Sequence, residues 1–206
     1  MISLVIDTCT NNVVIGLLNE LDVIDQKVEF NDKNISTNFV PLIDELLKNN
    51  NIRPTDIGKI FVAIGPGSFT GIRVGVTFAK VMAWSLNIEV VPFSSLELMA
   101  STSSNNVIIP LIDARRGYVF GGIYDCNLNS LLPEEYILVD DLLKKASAYD
   151  NYIFVSFDNF DFVTKLPDVD IRKIVSKHFC DSGVNPHSLN PNYLKKTEAE
   201  EKLSGE

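Results

Sequence analysis

The segment Gly65-Pro66-Gly67-Ser68-Phe69-Thr70-Gly71-Ile72-Arg73-Val74-Gly75 constrains the fold more than any other stretch of the chain. It follows an apolar run, Lys59 to Ile64, that reads as a strand, and it opens a helical pattern from Ile72 to Leu86. Such a unit leaves backbone N–H groups free at the helix start, where an anion or a partner's carbonyl oxygen can bind. A Walker A loop ends in Gly-Lys-Ser/Thr; here Gly71 is followed by Ile72, which excludes it. Gly65, Gly67 and Gly71 do fit a looser GxGxxxG dinucleotide loop. Rossmann halves usually open with that unit, however, and here a meander and an earlier helix precede it. The plainer reading is a tight turn in which glycine supplies unusual backbone angles and close packing.

The helix after the loop says more. Ile72, Val76, Ala79, Met82, Ala83 and Leu86 lie near one face and can cover a sheet. Val74, Phe78 and Val81 form a second apolar stripe, with Trp84 close to its edge. A helix that is apolar nearly all round is buried on more than one side. Gly67, Gly71 and Gly75, spaced by four, would let another backbone approach closely. Two readings stay open: the second face meets another protein, or the helix is sandwiched within its own fold.

Upstream, Ile2–Ile6, Val13–Leu18 and Val23–Glu29 read as three strands with short connections, an antiparallel meander. The period then changes. Ser36 is a candidate cap for a helix with apolar positions Phe39, Leu42, Ile43, Leu46 and Leu47, and Pro41 places its start nearby or within its first turns. Glu89–Val91 reads as a further strand and Ser94 to about Ser103 as a helix. Polar residues from Ser101 to Asn106 mark a lobe boundary, giving lobes 1–103 and 104–206. The pattern then partly restarts: strands at Val107–Ile112, Tyr118–Tyr124 and Tyr136–Val139, a helix capped by Asp140 through Ala146, a strand at Ile153–Val155 and a helix from Ile171 to Phe179. The expected class is α/β, with mixed sheets flanked by helices and a duplicated architecture.

Charge narrows the function. The 206 residues carry a net charge of −9, and no Lys/Arg cluster exceeds two residues. Nucleic-acid binding draws on basic faces, so an acidic chain of this size is a poor candidate for holding RNA alone. Cys9, Cys126 and Cys180 lack CxxC spacing, which argues against a disulfide framework or a zinc site. The opening residues have no basic leader, and no apolar run approaches the ~20 residues that span a bilayer. A cytoplasmic, reduced protein with no membrane contact is the expectation.

The inventory of catalytic groups is thin. His178 and His187 are the only histidines; HExxH, HxxxH and GxSxG patterns are absent, so no catalytic and no metal-ligating residue is assigned. Asp7 and Asp113 each end an apolar strand before a small polar turn. That placement suits Mg²⁺ and phosphates held between two lobes; equally, each aspartate simply caps its turn.

These residues resemble the TsaB (YeaZ) family. The resemblance rests on Ile2-Ser3-Leu4-Val5-Ile6-Asp7-Thr8, the glycine segment 65–75, Ser94-Ser95-Leu96-Glu97, Asp113-Ala114-Arg115-Arg116-Gly117-Tyr118-Val119 and Pro191-Asn192-Tyr193-Leu194-Lys195. It implies an actin-like, Hsp70-like fold of two related lobes. It further implies a non-catalytic subunit that dimerises with TsaD, which carries metal and transfers threonylcarbamoyl to the tRNA adenosine beside the anticodon. The ATPase subunit TsaE joins that pair, and ATP with Mg²⁺ belongs to the assembled complex. The chain alone would form a homodimer, and tRNA would be met mainly through the complex. The implied docking helices are Ser36–Asn50 and Ile72–Leu86, with Phe39, Ile43, Ile72, Val74, Phe78 and Val81 as contacts and Gly65, Gly67, Gly71 and Gly75 as the structural loop. Asp7, Thr8, Asp113 and Arg115 are candidate phosphate or nucleotide contacts. Two departures stand out: Ile35 and Thr37 flank Ser36 where the family often has His and Glu, and the phosphate-binding glycines of true actin-like kinases are missing after Asp7. The rival class is an autonomous phosphotransferase or glycoprotease-like enzyme.

Overall fold

The computed structural model describes residues 1–30, 34–102, 106–163 and 165–195. Strands β1 (Ile2–Asp7), β2 (Asn12–Asn19) and β3 (Asp22–Phe30) form the expected meander, followed by helix α1 (Ile35–Asn49) and strand β4 (Ile57–Ala63). Helix α2 (Phe69–Leu86), strand β5 (Glu89–Phe93) and helix α3 (Ser95–Ala100) complete the first unit. The second repeats its opening: β6 (Val107–Asp113), β7 (Tyr118–Tyr124), β8 (Ser130–Leu138), α4 (Val139–Ala146), β9 (Tyr152–Val155) and α5 (Ile171–Lys177).

The sheet orders are β3-β2-β1-β4-β5 and β8-β7-β6-β9. In each, the meander is antiparallel and the strand after the helix returns parallel to the first strand of the meander. Two copies of one β-β-β-α-β unit are therefore present, the arrangement an actin-like fold requires. The expected boundary at Ser103 lies outside the described residues, as does the expected helix end there; α3 stops at Ala100.

Alternation along the strands assigns the layers. Val5 pairs with Gly16, and a Cβ on Gly16 would enter the space of the Ile171 side chain, so α5 covers that face of the first sheet. Ile6 points the other way, to Gly75 of α2. On β6, Ile108 and Ile112 join the main core between the sheets, whereas Ile109 and Leu111 pack with Leu142 and Ala146 of α4. The main core thus draws on both lobes, beside a smaller cluster under α4, and α5 packs on the first sheet although it lies beyond the expected boundary.

Two expected caps are corrected. Asn34, not Ser36, precedes α1, and Pro41 lies well inside the helix. Pro41 is exposed, so the missing N–H and tilted carbonyl face water rather than the core. Leu138 precedes α4, which places Asp140 in the first turn, where its charge still meets the positive end of the helix dipole. Strand β8 begins six residues earlier than expected. It is an edge strand, where Pro133 removes no ladder hydrogen bond on its open side.

Candidate functional site

The glycine loop packs against its own chain. Ser68 N–H donates to the Cys9 carbonyl at 2.7 Å, and Thr8 Oγ1 donates to the Gly71 carbonyl at 2.7 Å. A Cβ on Gly67 would collide with the Cys9 carbonyl, one on Gly71 with the Thr8 carbonyl, and one on Gly75 with Thr8 Oγ1. The four-residue spacing thus seats α2 on the end of β1. The backbone it admits is that of Thr8–Cys9, not a partner's. Gly65 and Gly67 also hold φ of +119° and +149°, where a side chain would be strained. Ser68 caps the helix through Gly71 N–H, and Asn87 ends it in the left-handed conformation.

This seating fixes which side of α2 faces outward. Ile72 is fully buried beneath the helix, which corrects its expected place as a docking contact. Phe39 and Ile43 of α1 are also buried, and Phe39 meets Phe78 edge-on at 5.2 Å. Above them runs a groove of about 640 Å³ lined by Phe39, Val40, Phe69, Val74, Phe78 and Val81, with Arg73 at one end. It continues over Ile43, Leu47 and Met82. Val81 is 60% exposed, Trp84 65% and Val40 55%, so apolar surface is presented to water along both helices. Val74 and Phe78 are half-buried. Sequence reasoning missed Val40 and Phe69; each is an apolar residue off the core stripe of its helix, a signal that was available.

The second concavity is the cleft between the lobes, about 360 Å³, lined among others by Thr10, Asn11, Asp113, Arg115, Asp158 and Lys195. Here the two aspartates part. Asp7 Oδ1 accepts from Cys9 N–H at 2.7 Å, and Asp113 Oδ1 accepts from Arg115 N–H at 2.8 Å, the same turn in both lobes. Asp7 is buried under the glycine loop, and burial pushes its carboxyl up to about 6. Neither Asp7 nor Thr8 lines the cleft. Asp113 does, with Arg115 at 3.3 Å, and Asp158 Oδ2 accepts from Asp113 N–H at 2.8 Å. Burial and the nearby Asp113 charge raise the Asp158 carboxyl. The exposed Arg116 makes no side-chain contact that joins this set.

Residues Asn192 to Lys195 close one side of the cleft. Asn192 N–H donates to the Ile64 carbonyl at 2.7 Å, and Tyr193 stacks on Phe69 at 4.2 Å while accepting from Arg73 Nε at 2.9 Å. Asp7 and the Ser68 N–H are engaged inside the protein, with the Cys9 N–H and the Cys9 carbonyl, and are not offered to the cleft. Among the described residues, no group of three His, Cys, Asp or Glu side chains is placed to hold a metal ion, and no helix is long and apolar enough to cross a membrane.

Fold and grooves define a two-lobed α/β protein of actin-like plan, with an open apolar groove on the helix pair of its first lobe. A family model described as "TsaD: tRNA N6-adenosine threonylcarbamoyltransferase" matches residues 29–175. A Bacillus subtilis protein named tRNA threonylcarbamoyladenosine biosynthesis protein TsaB is 34% identical over 98% of this chain and 97% of its own length. The Escherichia coli protein of the same name is 27% identical over 62% of this chain and 57% of its own. A solved structure described as YeaZ from Pseudomonas aeruginosa superposes with a TM-score of 0.77 at 19% identity, covering 94% of this chain and all of that one. The chain belongs to the TsaB family of tRNA threonylcarbamoyladenosine biosynthesis proteins.

Proposed function

We propose that this chain is a non-catalytic docking subunit that pairs with a TsaD-type catalytic subunit through the α1–α2 groove. The observation that carries the reading is the groove itself. Its floor of Phe39, Ile43 and Phe78 is fixed by the core, while Val40, Val81 and Trp84 project apolar surface into water. Contiguous exposed apolar surface on a folded protein marks an interaction site. A partner helix pair laid across it would bury more than ~1,000 Å² in total, the size of a specific interface.

In this reading TsaE joins the pair, tRNA is met mainly through the partner, and ATP with Mg²⁺ acts in the assembled complex. The acidic total charge supports that division, because phosphate contacts need cations that this chain does not cluster. Alone, the chain would cover the groove with a second copy. The test is size-exclusion chromatography with light scattering on the chain alone and mixed with TsaD. A heterodimer that replaces a homodimer is expected; a chain that ignores TsaD at micromolar concentration would overturn the proposal.

A further inference from the structure

His178 follows α5 directly and holds two carboxylates at once. Its Nε2 lies 3.0 Å from Glu97 Oε2, and its Nδ1 lies 2.6 Å from Asp181 Oδ2. Both partners are acceptors when ionised, and a neutral imidazole has only one N–H to give. Both contacts are therefore satisfied together only by the imidazolium.

The surroundings give this contact leverage. Glu97 sits on α3, a helix whose six residues are all buried and which packs on β6, β7 and α5. The other Glu97 oxygen lies 2.6 Å from Lys177 Nζ, and Lys177 also donates to the Leu128 carbonyl between β7 and β8. Lys59 of β4, paired with Glu89 of β5 at 3.0 Å, reaches the Phe179 and Asp181 carbonyls at 3.5 Å. On the side of the second sheet stands Glu134, which accepts from Tyr124 and Ser94 and lies within the fields of Glu97 and Lys177. Asp125 lies within the field of Lys177. Beyond Asp181 the chain bridges Val184 to Val90 and ends, among the described residues, in the segment that lines the cleft.

We propose that His178 is a protonation-controlled clasp: as imidazolium it tightens α5 and the arm that follows it onto α3, and as neutral imidazole, with Lys177 still on Glu97, it loosens them. The sign follows from the partners. The Glu97 hydrogen bond, against some opposition from burial, raises the affinity of His178 for its proton above that of a solvated histidine. That stabilisation is complete below the unfolded histidine value of about 6.5 and is lost as pH rises through the raised folded value. Burial works to raise the Glu97 carboxyl, yet hydrogen bonds from His178 and Lys177 hold it below the usual range. Its contribution is present above the unfolded value and fails only in acid. The clasp is thus closed in mildly acidic to neutral solution and opens on the alkaline side.

Only one other histidine, His187, is present, so His187→Gln leaves a single imidazole to follow by NMR. The expected result is a His178 titration midpoint above the solvated histidine value of about 6.5. Amide exchange at 171–181 and at Asn192, corrected for intrinsic rates, should accelerate about tenfold or more through the same transition. Asp181→Asn, at a largely exposed carboxylate, should lower the His178 midpoint without unfolding the chain. His178→Gln should make the exchange of α5 independent of pH. A His178 midpoint at or below the solvated value, an unmoved midpoint in Asp181→Asn, or pH-independent protection of α5 in the parent chain would each overturn the proposal.

Discussion

The two lobes begin from the same unit and end differently. Each closes its first strand with an aspartate that accepts from the backbone N–H two residues on. In the first lobe that turn is roofed by the glycine loop and α2, so Asp7 is sealed from solvent and its carboxyl is pushed up to about 6. In the second lobe, among the described residues, no glycine loop and helix follow β9 in that place; Asp158 bonds the Asp113 N–H, the Asp113 turn opens to the cleft, and Gly117 has open space around it. The first lobe thus uses its aspartate turn as a packing joint. Its added helix then supplies one wall of an apolar groove. The second lobe keeps the open turn and, among the described residues, has no second helix wall.

The largest contrast comes from adding one methyl group at a packed glycine of the first lobe and at an open glycine of the second. Gly71→Ala drives a Cβ into the Thr8 carbonyl and should cost about 3 kcal/mol or more, measured by urea unfolding. Gly117→Ala meets no neighbour; only its φ of +79° is strained, and a cost of about 1 kcal/mol is expected. Equal costs would mean that the loop is not a packing joint.

Val81→Asp tests the groove with less risk to the fold than Phe78→Asp, because Val81 is exposed and Phe78 is half-buried. A loss of about 2 kcal/mol or more in TsaD affinity is expected, with little change in melting temperature. Titration calorimetry showing unchanged affinity would remove Val81 from the interface.

Asp7→Asn keeps an oxygen for the Cys9 N–H and removes a charge that burial disfavours. Because the folded carboxyl titrates above the unfolded one, its penalty grows as pH rises through about 6. The variant should gain up to about 3 kcal/mol at pH 8 and little near pH 4. The smallest effect falls in the second lobe. Arg115→Ala removes an exposed ion pair with Asp113 and should change stability by less than about 0.5 kcal/mol.

Much of this fold was legible in the sequence, for local reasons. The change from period two to period 3.6 located the meander, both groove helices and the restart at Val107, because burial on one side leaves a repeat in the chain. The glycine spacing announced a close approach, though not whose backbone would arrive. Ile72 was misassigned because a helix apolar nearly all round does not declare which stripe faces its own sheet; the seating of Gly71 and Gly75 on Thr8 decides that. The C-terminal arm was opaque for a different reason. Its contacts, His178 with Glu97, Val184 with Val90 and Asn192 with Ile64, join residues far apart in sequence and leave no periodic trace. The strand-end positions of Asp7 and Asp113 point both toward the space between the lobes, yet only Asp113 lines the cleft, and Asp7, at the matching position, is buried.

The central claim is that the first lobe's helix pair is the docking surface. Hydrogen exchange of the chain alone and bound to TsaD tests it most directly. Bound protection should concentrate in Ile35–Asn49 and Phe69–Leu86 and leave β6 to β9 unchanged. Protection centred on Asp113, Arg115 and the second sheet, with the helix pair unaltered, would contradict it.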